Sequence, residues 1–441
     1  MKTYHICTFG CQMNVNDSQW LCRALDRRGY EASDLATSSL ILVNTCSVRE
    51  KPEQKVRQYV ERIFWETSKK RSVLVVILGC VAKQLGERCF SFSPQVRFVC
   101  GPDHIGEIPD RVAELLDEPE KKLVLTDDTA RYPEREILGV EAPQSYVTIM
   151  QGCDKFCTYC IVPYTRGRER SRDPLAILQD CRAKLALGAS EIVLLGQNVN
   201  AYGKDSPIPF TFAELLERVD ALDGLQRLRY TSPHPKDMDA RDIEAFGRLR
   251  TLCPSLHLPM QSGSSTVLRR MGRGYSRKDY EKLVAELKSN RPDLCLTTDI
   301  IVGFPGETEA DLEETLSLME ACRFSASYSF CYSDRPGTKA STFTDKIPSS
   351  VQHERLLRVQ ELQDKLTDAY FTKRLGTETT VLIEHKSKRP HNGIASWEGR
   401  DPYGVRIHIP ATDSQNWIGH LVSTTIVEKG KHCLFGSPSR T

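Results

Sequence analysis

The run Gly152-Cys153-Asp154-Lys155-Phe156-Cys157-Thr158-Tyr159-Cys160 constrains this chain more than any other stretch. Its C-x3-C-x2-C spacing gathers three thiols on one short loop that follows an apolar strand. Three thiolates reach three corners of a four-iron cubane, whereas an electron-transfer ferredoxin cluster is closed by a fourth cysteine. A zinc site asks for four N or S ligands at C-x2-C-type spacings, and no His or Cys follows until Cys181. Burial as three structural cysteines is the plain alternative. Read as ligands, they leave one iron open to a small molecule.

The 441 residues exceed one core and imply two to four domains. The longest apolar run, Val73 to Ala82, is far short of the roughly 20 residues that cross a bilayer. The N-terminus has neither an apolar signal core nor a small-residue cleavage site. A cytoplasmic protein with no membrane partner is expected. Sixteen cysteines in that compartment favour metal or catalytic use over disulfides. A net charge of +2 gives no global signal for nucleic acid, so any basic surface must be local.

Three segments differ in pattern. In residues 1–120, strands are predicted at Tyr4–Phe9, Leu40–Asn44, Val73–Gly79 and Val96–Gly101, with helices over 17–28, 51–68 and 104–117. This is the alternation of an open parallel α/β sheet. A polar linker at about 126–144 is bracketed by Pro133 and Pro143. A second unit, 139–375, repeats the alternation with strands at Tyr146–Met150, Glu191–Leu195, Leu228–Thr231, Leu256–Pro259, Leu294–Val302 and Ala326–Tyr332. Six strand–helix units predict a partial (β/α)6 barrel with chemistry at the strands' carboxyl ends. A long helix over 351–375 closes it, with Leu362, Leu366, Ala369 and Tyr370 on one face and Gly376 as the stop. In 376–441 the pairs and triplets Val381/Ile383, Val405/Ile407/Ile409 and Val422/Thr424/Ile426 alternate with period two, predicting a small β-barrel.

Cys11, Cys46 and Cys80 share one address, one or two residues after a predicted strand. Carboxyl ends of neighbouring parallel strands open into one crevice, so these thiols converge on a second candidate metal site. The bland alternative is that free cysteine is a common buried residue.

The blocks Thr8–Asn14, Asn44–Glu50, Gly79-Cys80 and Cys153–Arg172 resemble the methylthiotransferases, radical S-adenosylmethionine (SAM) enzymes, and within them the tRNA-2-methylthio-N6-dimethylallyladenosine synthase family. Leu195–Gly203, Leu256–Ser264, Asp299–Thr308 and Tyr332–Thr338 extend the resemblance over nearly the whole chain. It implies a methylthiotransferase N-terminal domain, a radical-SAM core and a C-terminal TRAM domain. It further implies that Cys153, Cys157 and Cys160 hold a [4Fe-4S] cluster shared with SAM, and that Cys11, Cys46 and Cys80 hold an auxiliary [4Fe-4S] cluster carrying sulfur. The implied reaction adds a methylthio group to C2 of N6-isopentenyl-adenosine beside the anticodon, using two SAM, with no side-chain acid or base. The implied partners are the tRNA anticodon loop, an electron donor such as flavodoxin or ferredoxin, and a sulfur source; a monomer is expected. Threonylcarbamoyl-adenosine in tRNA, or an aspartate of a ribosomal protein, is the sister substrate. A non-catalytic iron–sulfur RNA-binding protein is the reading from another class.

For SAM itself the resemblance points to Tyr159 near the adenine, to Gly196, Gln197 and Asn198 after the second barrel strand, and to Gly303 and Glu307 after the fifth. Arg166, Arg168 and Arg170, with Arg172, form a basic run suited to carboxylate or phosphate, or to a solvated loop. From Lys373 to Arg440 ten Lys and Arg face six Asp and Glu, about +4. With Tyr403 among its aromatics, this barrel reads as an RNA grip. Trp417, beside Ile418, reads better as barrel core.

Overall fold

The computed structural model describes residues 2–47, 52–67, 72–139, 142–206, 210–388, 390, 393–411 and 415–438. Val48, Arg49 and Glu50 of the second cysteine block, the ends of the 51–68 helix, and Arg389, Asp413 and Arg440 of the C-terminal charge count lie outside these.

The N-terminal sheet comprises β1 (Thr3–Thr8), β2 (Glu31–Ala32), β3 (Leu40–Thr45), β4 (Leu74–Gly79), β5 (Val96–Cys100) and β6 (Leu123–Leu125). Its order is β2-β1-β3-β4-β5-β6 and every pairing is parallel. Every residue of β3 and β4 is buried, so both strands read as unbroken apolar runs. Helices α1 (Gln12–Asp26), α2 (Pro52–Glu66), α3 (Cys80–Leu85) and α4 (Ile108–Asp117) connect them. The connections run one way from β1 to β2 and the other way from β3 onward, which places a topological switch point between β1 and β3. Crevices open at the carboxyl ends beside such a point, where Cys11 and Cys46 stand.

The central barrel is built from β7 (Gln144–Thr148), with the short ribbon β8 (Met150–Gln151) and β9 (Arg170–Ser171) beside it. β10 (Glu191–Leu195), β11 (Arg227–Tyr230), β12 (Ser255–His257), β13 (Cys295–Val302) and β14 (Ala326–Cys331) complete it. The pairings β7-β10-β11 and β12-β13-β14 are parallel, and a single parallel bridge, Leu228 to Leu252, spans the gap between the two groups. All six predicted strands are present. Around them lie α5 (Val162–Arg166), α6 (Pro174–Ala186), α7 (Phe212–Asp220), α8 (Ala240–Arg248), α9 (Ser265–Met271), α10 (Arg277–Asn290), α11 (Glu309–Cys322) and α12 (Ser349–Arg374). Thr211/Glu214, Ser276/Asp279 and Thr308/Asp311 close reciprocal capping boxes that fix where α7, α10 and α11 begin. Ile192, Leu194, Leu228, Leu256, Leu296 and Ile300 pack outward against this helical layer. The alternate residues Glu191, Arg229, Ser255, His257, Thr297 and Asp299 therefore face the lumen.

The C-terminal unit is a closed barrel in the order β15-β16-β17-β19-β18, from β15 (Glu378–Lys386), β16 (Ser396–Arg400), β17 (Arg406–Pro410), β18 (Leu421–Lys429) and β19 (Leu434–Pro438). The predicted period-two triplets supply its core through Val381, Ile383, Ile407, Ile409 and Ile426, joined by Phe371 of α12. Trp417 packs on this core and stacks with Trp397 at 6.4 Å between rings. Gly376, at φ +77°, ends α12 and donates its N–H to Ile426.

The turn Asp401–Gly404 of this barrel closes the lumen of the central one from below. Arg227 donates to the carbonyls of Thr380 and Arg400, both at 2.8 Å, and Arg229 to that of Asp401 at 2.7 Å. Both arginines are anchored in the lumen by Glu191, at 3.8 and 2.8 Å. Asp401 is fully buried, accepts from the N–H groups of Tyr403 and Val405, and pairs with Arg374 at 2.7 Å.

Candidate functional site

The first triplet lies at the carboxyl ends of parallel strands and the second on the loop after the antiparallel ribbon that follows β7, and Arg166 and Gln197 reach from the second to the first. Cys11 is exposed at the head of α1, and Cys46 and Cys80 are buried. Asn14 knits their loops together, since its amide donates to Asn44 at 2.7 Å and to the Thr45 carbonyl at 2.9 Å. Gly10 sits at φ +129°, and a Cβ there would stand 2.7 Å from the Cβ of Cys46. Only glycine lets the first and second loops approach this closely.

Cys153, Cys157 and Cys160 lie on the loop between β8 and α5. The Cys160 N–H bonds to the Cys157 carbonyl at 2.9 Å, Cys153 to Gly167 at 3.2 Å, and Thr158 to Met271 at 2.8 Å. Burial pushes the thiols of Cys153 and Cys160 up to about 12. Iron bound by these thiols would override that cost, because metal coordination deprotonates a thiol outright. Among the described residues no three His, Cys, Asp or Glu side chains could hold a single metal ion. A four-iron cubane spreads its thiolates more widely than one ion does.

Two buried arginines stand against these thiols. Arg166, on α5 just past the second triplet, donates Nε to Cys80 Sγ at 3.4 Å and lies 4.0 Å from Asp17. Burial opposes its charge, but Cys80, Asp17 and Cys11 outweigh burial and hold its proton more tightly than usual. Its Nη2, the atom nearest Asp17, is buried without a hydrogen-bond partner among the described residues. Arg273 donates to Cys157 Sγ at 3.4 Å and to the Tyr159 hydroxyl at 3.5 Å. Cations beside soft thiolate donors fit the anionic iron–sulfur clusters expected in both places.

The other predicted residues separate. Gln197 spans the two triplets: its Oε1 accepts from Gly152 N–H at 2.6 Å, and its Nε2 contacts the sulfur of Met13, two residues after Cys11. Gly196 leaves room for Met150 beneath it. Asn198 donates to Glu169 at 2.9 Å and to Asp237 at 2.8 Å, while its buried Oδ1 has no partner among the described residues. An acceptor of that kind fits the amino group of SAM. Tyr159 packs edge-on to Phe304, against a cluster with Met271 and Tyr332. Glu307 accepts from Gly303 N–H at 2.6 Å and pairs with Arg355 of α12 at 2.8 Å, a buried lock between the fifth-strand loop and the long helix.

The basic run does not act as one patch. Arg170 grips Asp103 of the N-terminal unit at 2.5 and 3.0 Å, and Arg172 pairs with Asp180 at 2.8 Å and Glu134 at 2.9 Å; both are buried. Only Arg168 is largely exposed, paired with Asp154 and lying over Phe156. Tyr403 is half-buried, bonded to Asp293 at 3.0 Å beneath the Arg374 guanidinium. The linker is a strap: Arg135 pairs with Asp17 at 2.7 Å and the Thr129 carbonyl accepts from Arg170.

Arg273, Met13 and His234 were not legible as site residues. His234 is buried at the mouth with Nε2 unpartnered among the described residues, and burial lowers its pKa to about 2. An arginine between two glycines, Gly272 and Gly274, was the one available signal for Arg273. Phe156, Ser232 and Gln261 hold positive φ (46°, 62° and 66°) on loops leaving the strand ends, the kind of backbone strain that collects at functional sites.

Residues 147–319 match the model described as the Radical SAM superfamily, and residues 3–101 the one described as Uncharacterized protein family UPF0004. The tRNA-2-methylthio-N(6)-dimethylallyladenosine synthase of Nitratidesulfovibrio vulgaris (strain Hildenborough) is 50% identical over 437 residues, 98% of this chain and 97% of the relative. That of Lawsonia intracellularis is 47% identical over 451 residues, 99% of each chain. Among solved structures, the radical S-adenosylmethionine methyltransferase TsrM of Kitasatospora setae, with cobalamin and a [4Fe-4S] cluster bound, shares the fold. It matches at TM-score 0.56 and 15% identity, over 77% of this chain and 74% of that one. The two cysteine triplets, the parallel barrel and full-length identity of this order lead to one conclusion: the chain belongs to the tRNA-2-methylthio-N(6)-dimethylallyladenosine synthase family.

Proposed function

We propose that this chain methylthiolates C2 of N6-isopentenyl-adenosine next to the anticodon of tRNA, in the cytoplasm. The observation that carries this reading is the placement of two cysteine triplets across one domain junction, in a chain similar over its full length to synthases of that name. Cys153, Cys157 and Cys160 would hold the cluster that binds SAM, and Cys11, Cys46 and Cys80 the auxiliary one. With a flavodoxin- or ferredoxin-type electron donor, these clusters and SAM would supply a carbon radical able to take hydrogen from an unactivated ring carbon, and a methylated sulfur to replace it.

The chain's own contribution is position and dryness. Gln197 and Met13 sit between the triplets and fix their mutual placement. Asn198 offers an acceptor for the amino group of SAM, with Glu169 and Asp237 orienting its amide. Arg273 and Arg166 hold positive charge against the two sets of thiolates. Tyr159, Phe304 and Met271 keep an apolar wall beside the second triplet, and exclusion of water protects a reactive intermediate from quenching. Sulfur consumed at the auxiliary site comes from an external source.

The test offers anticodon stem-loops bearing plain, isopentenyl or threonylcarbamoyl adenosine to the reconstituted, reduced enzyme with SAM, and analyses the nucleosides by mass spectrometry. The isopentenyl form is the expected substrate. Preference for the threonylcarbamoyl form overturns the substrate and leaves the chemistry standing.

A further inference from the structure

β14 is the last strand of the open barrel, and its outer edge has no strand partner among the described residues. In parallel register Asp299 stands opposite Tyr328 and Ile301 opposite Phe330, so both aromatics face the lumen. Tyr328 is 62% and Phe330 51% exposed, large apolar areas at a place where a barrel strand would ordinarily be covered. Tyr328 leans edge-on against His257 at 6.1 Å, and His257 is held by Asp299 at 3.3 Å. That ring is therefore oriented while its face stays open. Ile301, beside Phe330, packs on the cluster that contains Tyr159, next to Cys160. The aromatic face leads directly to the SAM-binding triplet.

Below Tyr328 a cavity of 560 Å³ runs between β14, α12 and the C-terminal barrel. Its walls carry Arg400, Arg406, Lys431 and His432 against a single carboxylate, Asp364. Arg406 pairs with Glu398 at 3.1 Å and Lys431 with Asp364 at 3.1 Å, with side chains 50% and 70% exposed. Lys431 and Asp364 form a solvated pair of the kind a phosphate displaces at little cost, and Glu398 keeps His385 and His408 beside it when Arg406 turns to another partner. Cations flanking exposed rings suit single-stranded nucleic acid: charge for the backbone, π-faces for unstacked bases.

Resting on the function proposed above, we propose that the tRNA loop crosses this groove as a single strand. Its backbone lies on Arg406, Lys431 and His432, Tyr328 stacks on a base, and Phe330 covers the apolar N6 substituent of the target adenosine. Phe330 is thereby a specificity-determining residue. A charged N6 substituent would find an aromatic ring there and no cation on the strand.

The test titrates fluorescent anticodon stem-loops, with isopentenyl or plain adenosine, against the full-length reconstituted protein at several salt concentrations. Tyr328→Ala is expected to weaken both RNAs by about 5- to 150-fold, the range for losing one stacked base. Phe330→Ala is expected to abolish the preference for the isopentenyl RNA, and Phe330→Leu to keep most of it. The double change Arg406→Glu with Lys431→Glu is expected to weaken both RNAs alike and flatten the salt dependence by about 0.7 log units per decade for each lost phosphate contact. Circular dichroism verifies that each variant is folded, and Phe330→Gln, which keeps bulk but loses the apolar ring and is likewise expected to abolish the preference, serves if Phe330→Ala is not folded. A wild type that does not prefer the isopentenyl RNA overturns the function proposed above. A wild type that prefers it, with aromatic variants that bind and discriminate unchanged, overturns this proposal and leaves the groove to another occupant, such as a peptide strand on the β14 edge.

Discussion

The Nε of Arg166 donates to the Sγ of Cys80 at 3.4 Å, across the junction between the central barrel and the N-terminal sheet. Arg166 follows the third cysteine of one triplet by six residues and touches the third cysteine of the other. The chain thus passes from one candidate cluster to the next within two turns of helix. Arg166→Ala is expected to lower iron content after anaerobic reconstitution, from about eight atoms per chain toward the about four of a single cubane. Arg166→Lys, which keeps the charge, is expected to retain more. Full loading of the alanine variant would reduce Arg166 to a packing residue.

Division of labour between the triplets gives a second expectation. The triple change of Cys11, Cys46 and Cys80 to Ala should leave about four irons per chain and preserve release of 5′-deoxyadenosine from SAM, with no methylthiolated product. Replacing Cys153, Cys157 or Cys160 should abolish that release. Iron analysis and chromatography of the SAM products decide it.

Arg170 and Asp103 join the two units as a buried pair at 2.5 Å. Burial alone would raise the Asp103 pKa, but bonds from Arg170 and Thr129 bring it below the usual carboxylate range. Removing one partner strands the other, and such losses cost about 3–5 kcal/mol. Arg170→Met should lower the unfolding midpoint strongly. Arg170→Met with Asp103→Leu should recover part of the loss, because replacing both charges leaves no ion unpaired. Thermal unfolding of the wild type, Arg170→Met, Asp103→Leu and the double variant measures the coupling.

Asp242, on α8, yields a pH dependence. Burial, with repulsion from Asp239, raises its pKa from 3.8 to about 7. Its folded value therefore lies above its unfolded one. The stability it contributes is fully present below about pH 4 and is lost as pH rises through 7. Asp242→Asn removes that loss, so the variant should gain about 2–4 kcal/mol over wild type at pH 8 and little at pH 4. Denaturant unfolding at the two pH values reads the difference; equal gains at both would refute it.

Legibility of the fold followed the strength of local pattern. β3, β4 and β10 are buried on both faces and their apolar runs announced them, and the cysteines at strand ends were placed by topology alone. β6, three half-buried residues, and β16, whose Gly399 and Arg400 break the alternation, carried too little pattern to register. Arg166, Arg170 and Arg172 illustrate the harder limit. Four charges at alternate positions look like a solvated surface, yet three are buried because their partners Asp17, Asp103 and Asp180 lie 149, 67 and 8 residues away. Charge pairing across domains leaves no periodic trace. The segment Gly399–Gly404 is similar: its Asp401 is explained only by Arg374 and the lumen arginines it meets.

That plug of Asp401–Gly404 gives the enzyme a built-in ruler. Arg227 and Arg229 tie the C-terminal barrel to the floor of the central one, and α12 ties it along the side, so no hinge separates the two. The span from the face of the small barrel to the cysteine-bearing mouth is a constant of the chain. If RNA binds the small barrel as proposed above, it would offer to the mouth only the nucleotide that lies at that reach, and position along the strand would be selected by length before any base is read.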